Sequence, residues 1–109
     1  MEKGSFSSIF LSKCCVADKS LERREILFSG NVQGVGFRFT TRSIAANYEV
    51  VGFVCNLADG RVQLCVEGMT RELDRFQADL AERMASYIQD MPVDVRPGTH
   101  EFGRFEIRY

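Results

Sequence analysis

Two periods of apolar residues organise the chain from Arg23 onward. "REILFSG" is a short β-prone run closed by a glycine, which predicts a strand over residues 24–30. Its adjacent Ile26, Leu27 and Phe28 suggest a central strand. Phe37, Thr41, Ile44, Ala45 and Tyr48 then recur at helical spacing and predict a helix over 37–48. "VVGFVCN" and "RVQLCVEG" are two strand candidates joined by "LADG", in which Asp59-Gly60 is a strong hairpin signal. Val51, Phe53 and Cys55 share one face of the first, and Val62, Leu64 and Val66 one face of the second. Pairing Asn56 with Arg61 would bring both triplets to the same side. Cys55 and Cys65 would then point to opposite faces, which predicts no disulfide between them. Thr70 reads as an N-cap with Glu72 in the first turn, and Leu73, Phe76, Leu80 and Met84 continue a helix over 71–86. Its other face, with Arg71, Arg75, Asp79 and Arg83, reads as solvated. "PVDV" predicts a short edge strand, since Pro92 cannot donate to a ladder. Finally, Phe105, Ile107 and Tyr109 alternate with Arg104, Glu106 and Arg108 in a last strand. The order βαββαβ is that of an α+β, ferredoxin-like sandwich, with an antiparallel sheet carrying two helices on one face.

Composition narrows the classes. The chain has 109 residues, enough for one domain with its own core. Residues 1–22 mix Ser and Lys with a short apolar run that Lys13 interrupts, so they read as a poorly ordered tail and not as a signal peptide. Residues 23–109 form the domain. The formal net charge of −1 argues against a general nucleic-acid or membrane-surface role, which would want a basic excess. No apolar run approaches the length of about 18 that suggests a membrane span. Cys14, Cys15, Cys55 and Cys65 do not follow zinc-ligand spacing, so no metal is expected, and a cytoplasmic chain with reduced thiols is.

"GNVQGVGFR", residues 30–38, carries the candidate chemistry. Three glycines in seven residues, Gly30, Gly34 and Gly36, weaken any regular element, so the backbone must gain something there. The spacing Gly-x-x-x-Gly-x-Gly misses the dinucleotide fingerprint, and no Lys-Ser or Lys-Thr closes a Walker loop. Two readings stay open, a plain turn and an anion-holding nest. For the nest, every residue offers an amide, and the loop enters a helix N-terminus with its partial positive charge. No Asp or Glu lies between Glu25 and Glu49, whereas Arg38 and Arg42 do. Arg38 sits in a first helical turn, a poor place for a cation unless an anion compensates it.

"GNVQGVGFR" followed by "GFVCNLADGRVQLCVEG" resembles both signature motifs of the acylphosphatase family, over residues 23–109. The resemblance implies metal-free hydrolysis of acyl phosphates, with no cofactor and with inorganic phosphate as the other small-molecule partner. Val32, Gln33, Gly34, Val35, Gly36, Phe37 and Arg38 match the family's phosphate-binding loop. Arg38 matches the arginine that grips the phosphoryl oxygens, and Asn56 the asparagine that orients the attacking water. Leu57 departs from the small polar residue some members carry. A guanidinium fork suits phosphoryl oxygens better than lysine, and a neutral amide holds water without repelling phosphate. No His or Glu base is called for. His100 reads as a solvated loop residue, Asp59 as a turn residue, and Cys55 as packing. Expected partners are acyl phosphates, with no nucleic acid or membrane, and the chain is expected to be a monomer. Two rivals rank lower. One is a non-catalytic carbamoyl-phosphate or anion-binding module, of the kind found at the start of large hydrogenase-maturation proteins. The other is an RNA-binding ferredoxin-like domain, which would expose aromatics on central strands beside basic residues.

Overall fold

The computed structural model describes residues 21–109. The expected tail and its Cys14-Cys15 pair lie outside the described residues, except that Leu21 and Glu22 already belong to the first strand. The elements are β1 (Leu21–Gly30), α1 (Phe37–Ala45), β2 (Val50–Asn56), β3 (Val62–Met69), α2 (Thr70–Arg83), β4 (Ile88–Asp90), β5 (Val93–Pro97) and β6 (Phe105–Arg108). β1 lies antiparallel between β3 on one side and β4 with β5 on the other, as its apolar centre predicts. β2 pairs antiparallel with β3, and β6 closes the far edge parallel to β2.

Both helices cover one face of this sheet. One rung across it reads Val93–Ile26–Leu64–Val54–Ile107. Ile26, Leu64 and Val54 are fully buried beneath Ile44 of α1 and Leu73, Phe76 and Leu80 of α2. Each such side chain contributes roughly 1.5–3 kcal/mol by leaving water. The next rung, Phe28–Val62–Asn56, brings Asn56 to the sheet end from which the loop after β1 departs.

The chain differs from the sequence expectation in several places. Asn56 pairs with Val62 and not with Arg61. The connection is a five-residue loop, Leu57–Arg61, closed by the Leu57 amide donating to the Arg61 carbonyl at 2.8 Å. A one-residue slip exchanges the faces of a strand. Val50 and Val54 therefore face the core, while Val51, Phe53 and Cys55 lie on the open face, and Cys55 and Cys65 share that face as free thiols. Thr70 is not an N-cap. Met69 still belongs to the β3 ladder and caps α2 by position, so the Thr70 hydroxyl donates instead to Glu22 Oε1 at 2.9 Å. α1 ends at Ala45, and α2 ends at Arg83. Tyr48 sits in the turn after α1 and donates its hydroxyl to Asp79 Oδ2 at 3.0 Å. The edge strand around "PVDV" forms as β5, and the Pro92 carbonyl accepts from the Leu27 amide at 3.2 Å. β4 was not anticipated. It continues the β5 edge along β1.

On the open face, one carboxylate holds a long connection. Glu67 is fully buried. Its Oε2 accepts from the Thr99 amide and hydroxyl, each at 2.8 Å, and its Oε1 from the His100 amide at 3.1 Å. Burial alone would raise its pKa, but these donors and the nearby Arg23 guanidinium hold it below the ordinary glutamate value. Phe102 then stacks near Phe53, with ring centroids 5.9 Å apart, and the Arg108 guanidinium lies 4.1 Å above Phe53. The His100 side chain is exposed, as expected.

Candidate active site

The loop between β1 and α1 is pinned at both ends. Val32 is fully buried, and Phe37 is buried with its ring 4.9 Å from that of Phe28. Between these anchors Gly34 and Gly36 are exposed and have φ of 81° and 76°, the left-handed region that side chains resist. Gly36 is the N-cap of α1, and its carbonyl accepts the first helical bond, from the Thr40 amide at 2.9 Å. Space for a side chain at Gly36 is open, so Gly36→Ala isolates the backbone effect. The left-handed conformation should cost about 1–2 kcal/mol, read as a lowered midpoint in urea unfolding.

Among the described residues, the amides from Val32 to Phe39 have no hydrogen-bond acceptor in the protein. They include the first-turn donors that every helix leaves free. No acidic residue lies in that turn. The loop lines a cavity of about 230 Å³ bounded by Val32, Gly34, Gly36, Phe37, Arg38, Phe39 and Asn56. The structure thus brings Arg38 and Asn56, 18 positions apart in sequence, to one cavity. Neither side chain makes a hydrogen bond or ion pair among the described residues. Arg38 lies with its guanidinium carbon 4.8 Å from the centre of the Tyr109 ring.

Of the predicted loop residues, Val32, Gly34, Gly36, Phe37 and Arg38 line the cavity and Val35 packs against the core. Gln33 instead turns its side chain toward the β2–β3 loop. Two neighbours were missed. Phe39 is 56% exposed at the cavity, and Tyr109 reaches Arg38. The signal for Phe39 was its place off the buried stripe of Phe37, Thr41 and Ile44. That for Tyr109 was its parity with Phe105 and Ile107, which sets it on the helix side. No group of three or more His, Cys, Asp or Glu among the described residues could hold a metal ion.

A ferredoxin-like sandwich with an amide-rich loop, one arginine and one asparagine at a sheet end defines a small phosphate-handling domain. Comparison with known proteins makes this specific. The acylphosphatase family matches residues 24–107. The acylphosphatase of Cupriavidus necator is 37% identical over 87 residues, covering 80% of this chain and 94% of that protein. That of Archaeoglobus fulgidus is 52% identical over a shorter stretch of 52 residues, 48% of this chain and 58% of that protein. The crystal structure of acylphosphatase from Bacillus subtilis superposes with a TM-score of 0.73 at 29% identity, covering 81% of this chain and 99% of that one. The chain belongs to the acylphosphatase family, and its activity is that of an acylphosphatase, a hydrolase of acyl phosphates.

Proposed function

We propose that this chain hydrolyses acyl phosphates at the cavity between α1 and the end of β2, with Arg38 and Asn56 in separate roles. The observation that carries this reading is the run of unpartnered amides from Val32 to Phe39, in a loop whose Val32, Gly34, Gly36 and Phe37 line one cavity with Arg38 and Asn56. The phosphoryl group enters the loop, where amides and the helix terminus meet its equatorial oxygens. Arg38 adds two parallel N–H donors and a full charge. Tyr109 stacks on the guanidinium and limits its rotation while leaving its edge donors free. Asn56 accepts from a water and holds it in line with the bond to be broken. The water oxygen bonds to phosphorus, the bond from phosphorus to the acyl oxygen breaks, and the carboxylate leaves with that electron pair. The water's proton passes to a phosphoryl oxygen. A carboxylate is a good leaving group, so positioning and charge stabilisation suffice without a side-chain base.

The finer expectations belong to the same proposal. The chain works as a monomer in the cytoplasm, apart from nucleic acid and membrane. Support comes from the net charge of −1, the free thiols of Cys55 and Cys65, and the lack among described residues of a helix long and apolar enough to cross a membrane. The test follows benzoyl phosphate hydrolysis with a chelator present and inorganic phosphate as product inhibitor. Chelator-resistant turnover with competitive inhibition is expected. Phosphate raising the melting temperature without any turnover would replace this reading by that of a binding module.

A further inference from the structure

Gln33 stands in the phosphate loop, yet its side chain does not serve the phosphate cavity. Its Nε2 donates to the Leu57 carbonyl at 2.7 Å and to the Arg61 carbonyl at 3.0 Å. Both partners can only accept, so the amide must present its NH₂ there, and its two hydrogens match two acceptors. The remaining bonds of the 57–61 loop are internal to it. They run from the Leu57 amide to the Arg61 carbonyl, from the Gly60 amide to the Leu57 carbonyl, from the Arg61 amide to Asp59 Oδ1, and from Arg61 Nε to Asp59 Oδ2. Among the described residues, Gln33 is therefore the hydrogen-bonded link between the phosphate loop and the β2–β3 loop. Leu57, which it holds, follows Asn56 directly, and Asn56 occupies the last rung of β2.

We propose that Gln33 is a positioning residue. Its side-chain amide locks the Leu57–Arg61 loop to the phosphate loop and so sets the distance between Asn56 and a bound phosphoryl group. The two halves of the site come from different elements, and without such a tie their separation would follow the hairpin's own motion. In-line attack tolerates little drift, since a misplacement of about 1 Å can cost about 10²-fold in rate. A primary amide fits the task. Glutamate would set a charge against two carbonyls, and asparagine is a methylene too short to reach both. This inference rests on Asn56 holding the attacking water.

The experiment compares wild type, Gln33→Met, Asn56→Ala and the double variant by kcat for benzoyl phosphate and by Ki for inorganic phosphate. Gln33→Met keeps the length and apolar stem but has no donor. Its kcat should fall by about 10- to 100-fold, with the phosphate Ki staying within about twofold. On the Asn56→Ala background, Gln33→Met should change kcat no further, because groups that act as a unit are not additive. Gln33→Asn, which keeps a polar amide, should show the same split and replaces Gln33→Met if that variant fails to fold. Unchanged kcat in the Gln33 variants, a Ki that rises in step with the loss of kcat, or a full loss repeated on the Asn56→Ala background would overturn the proposal. If Asn56→Ala itself keeps full kcat while wild type turns over, the water assignment fails, and Gln33's role through it fails too.

Discussion

Arg38→Ala should lower kcat/KM for benzoyl phosphate by about 10³-fold and weaken inhibition by inorganic phosphate in parallel. Removing one preorganised donor to a developing charge typically costs about 10²–10³ in rate, and an arginine on a transferring phosphoryl group about 10³–10⁵. In the proposed role, Arg38 would supply two donors and a full charge to a cavity without acidic residues in its lining. The variant should fold normally. A cation at a helix N-terminus is unfavourable by about 0.3–1 kcal/mol, which offsets the roughly 0.5–1 kcal/mol of its exposed stack on Tyr109. Arg38→Lys tests geometry against charge. It should recover phosphate binding in part but leave kcat well below wild type, because an ammonium cannot meet two oxygens as a planar fork does. Steady-state kinetics with a melting curve for each variant would decide, and near-wild-type turnover in Arg38→Ala would sink the role given to it.

The second large effect is at Asn56. Asn56→Ala should reduce kcat by about 10²–10³-fold while leaving the phosphate Ki within about twofold, because positioning a nucleophile carries a comparable share of the barrier. Asn56 is exposed and makes no side-chain bond among the described residues, so its loss removes nothing from the fold. Asn56→Asp is the sharper variant. It keeps the shape, yet above the carboxyl's pKa it sets a negative charge toward the phosphoryl group. Both kcat and phosphate affinity should fall at neutral pH and recover in part as pH drops toward about 4. A parallel rise of Ki in Asn56→Ala would instead assign this residue to binding.

The loop after β1 stood out in the sequence as a candidate anion site because its signals are local. Glycines, missing acids and a misplaced arginine all lie between residues 26 and 48, and their physical meaning does not depend on distant partners. The face of β2 could not be read that way. Val50, Val51, Phe53, Val54 and Cys55 form a nearly continuous apolar run, so alternation does not choose a side. The choice fell to the length of the Leu57–Arg61 loop, which differs by one residue from the turn that Asp59-Gly60 suggests. The side-chain contacts of Gln33 were hidden for a related reason, since its acceptors are backbone carbonyls 24 and 28 positions away. The parity of Tyr109 with Ile107, which pairs with Val54, sets its side of the sheet, but nothing in its neighbours announced Arg38. Phe53 and Phe102, beside Arg23 and Arg108, do place half-buried aromatics and cations on the open face. They pack on one another there, with Glu67 and Glu106 interspersed.

The buried Glu67 has a bearing on how this protein opens. It fastens residues 99 and 100 to the sheet, and beyond them β6 is only four residues long with a single partner strand. Residues 98–109 should therefore detach as one cooperative unit, at a free energy below that of global unfolding. Tyr109 would leave Arg38 in the same event. Because the folded-state pKa of Glu67 is lowered, its contribution is complete above the ordinary glutamate pKa and is lost as pH falls through the lowered value. Glu67→Gln should speed amide exchange in β6 about tenfold or more, as expected for losing hydrogen bonds to a charged acceptor, while β1 and β3 exchange as before. Acidification should loosen the same segment first, so the far edge of the sheet becomes the part of the molecule that reports pH.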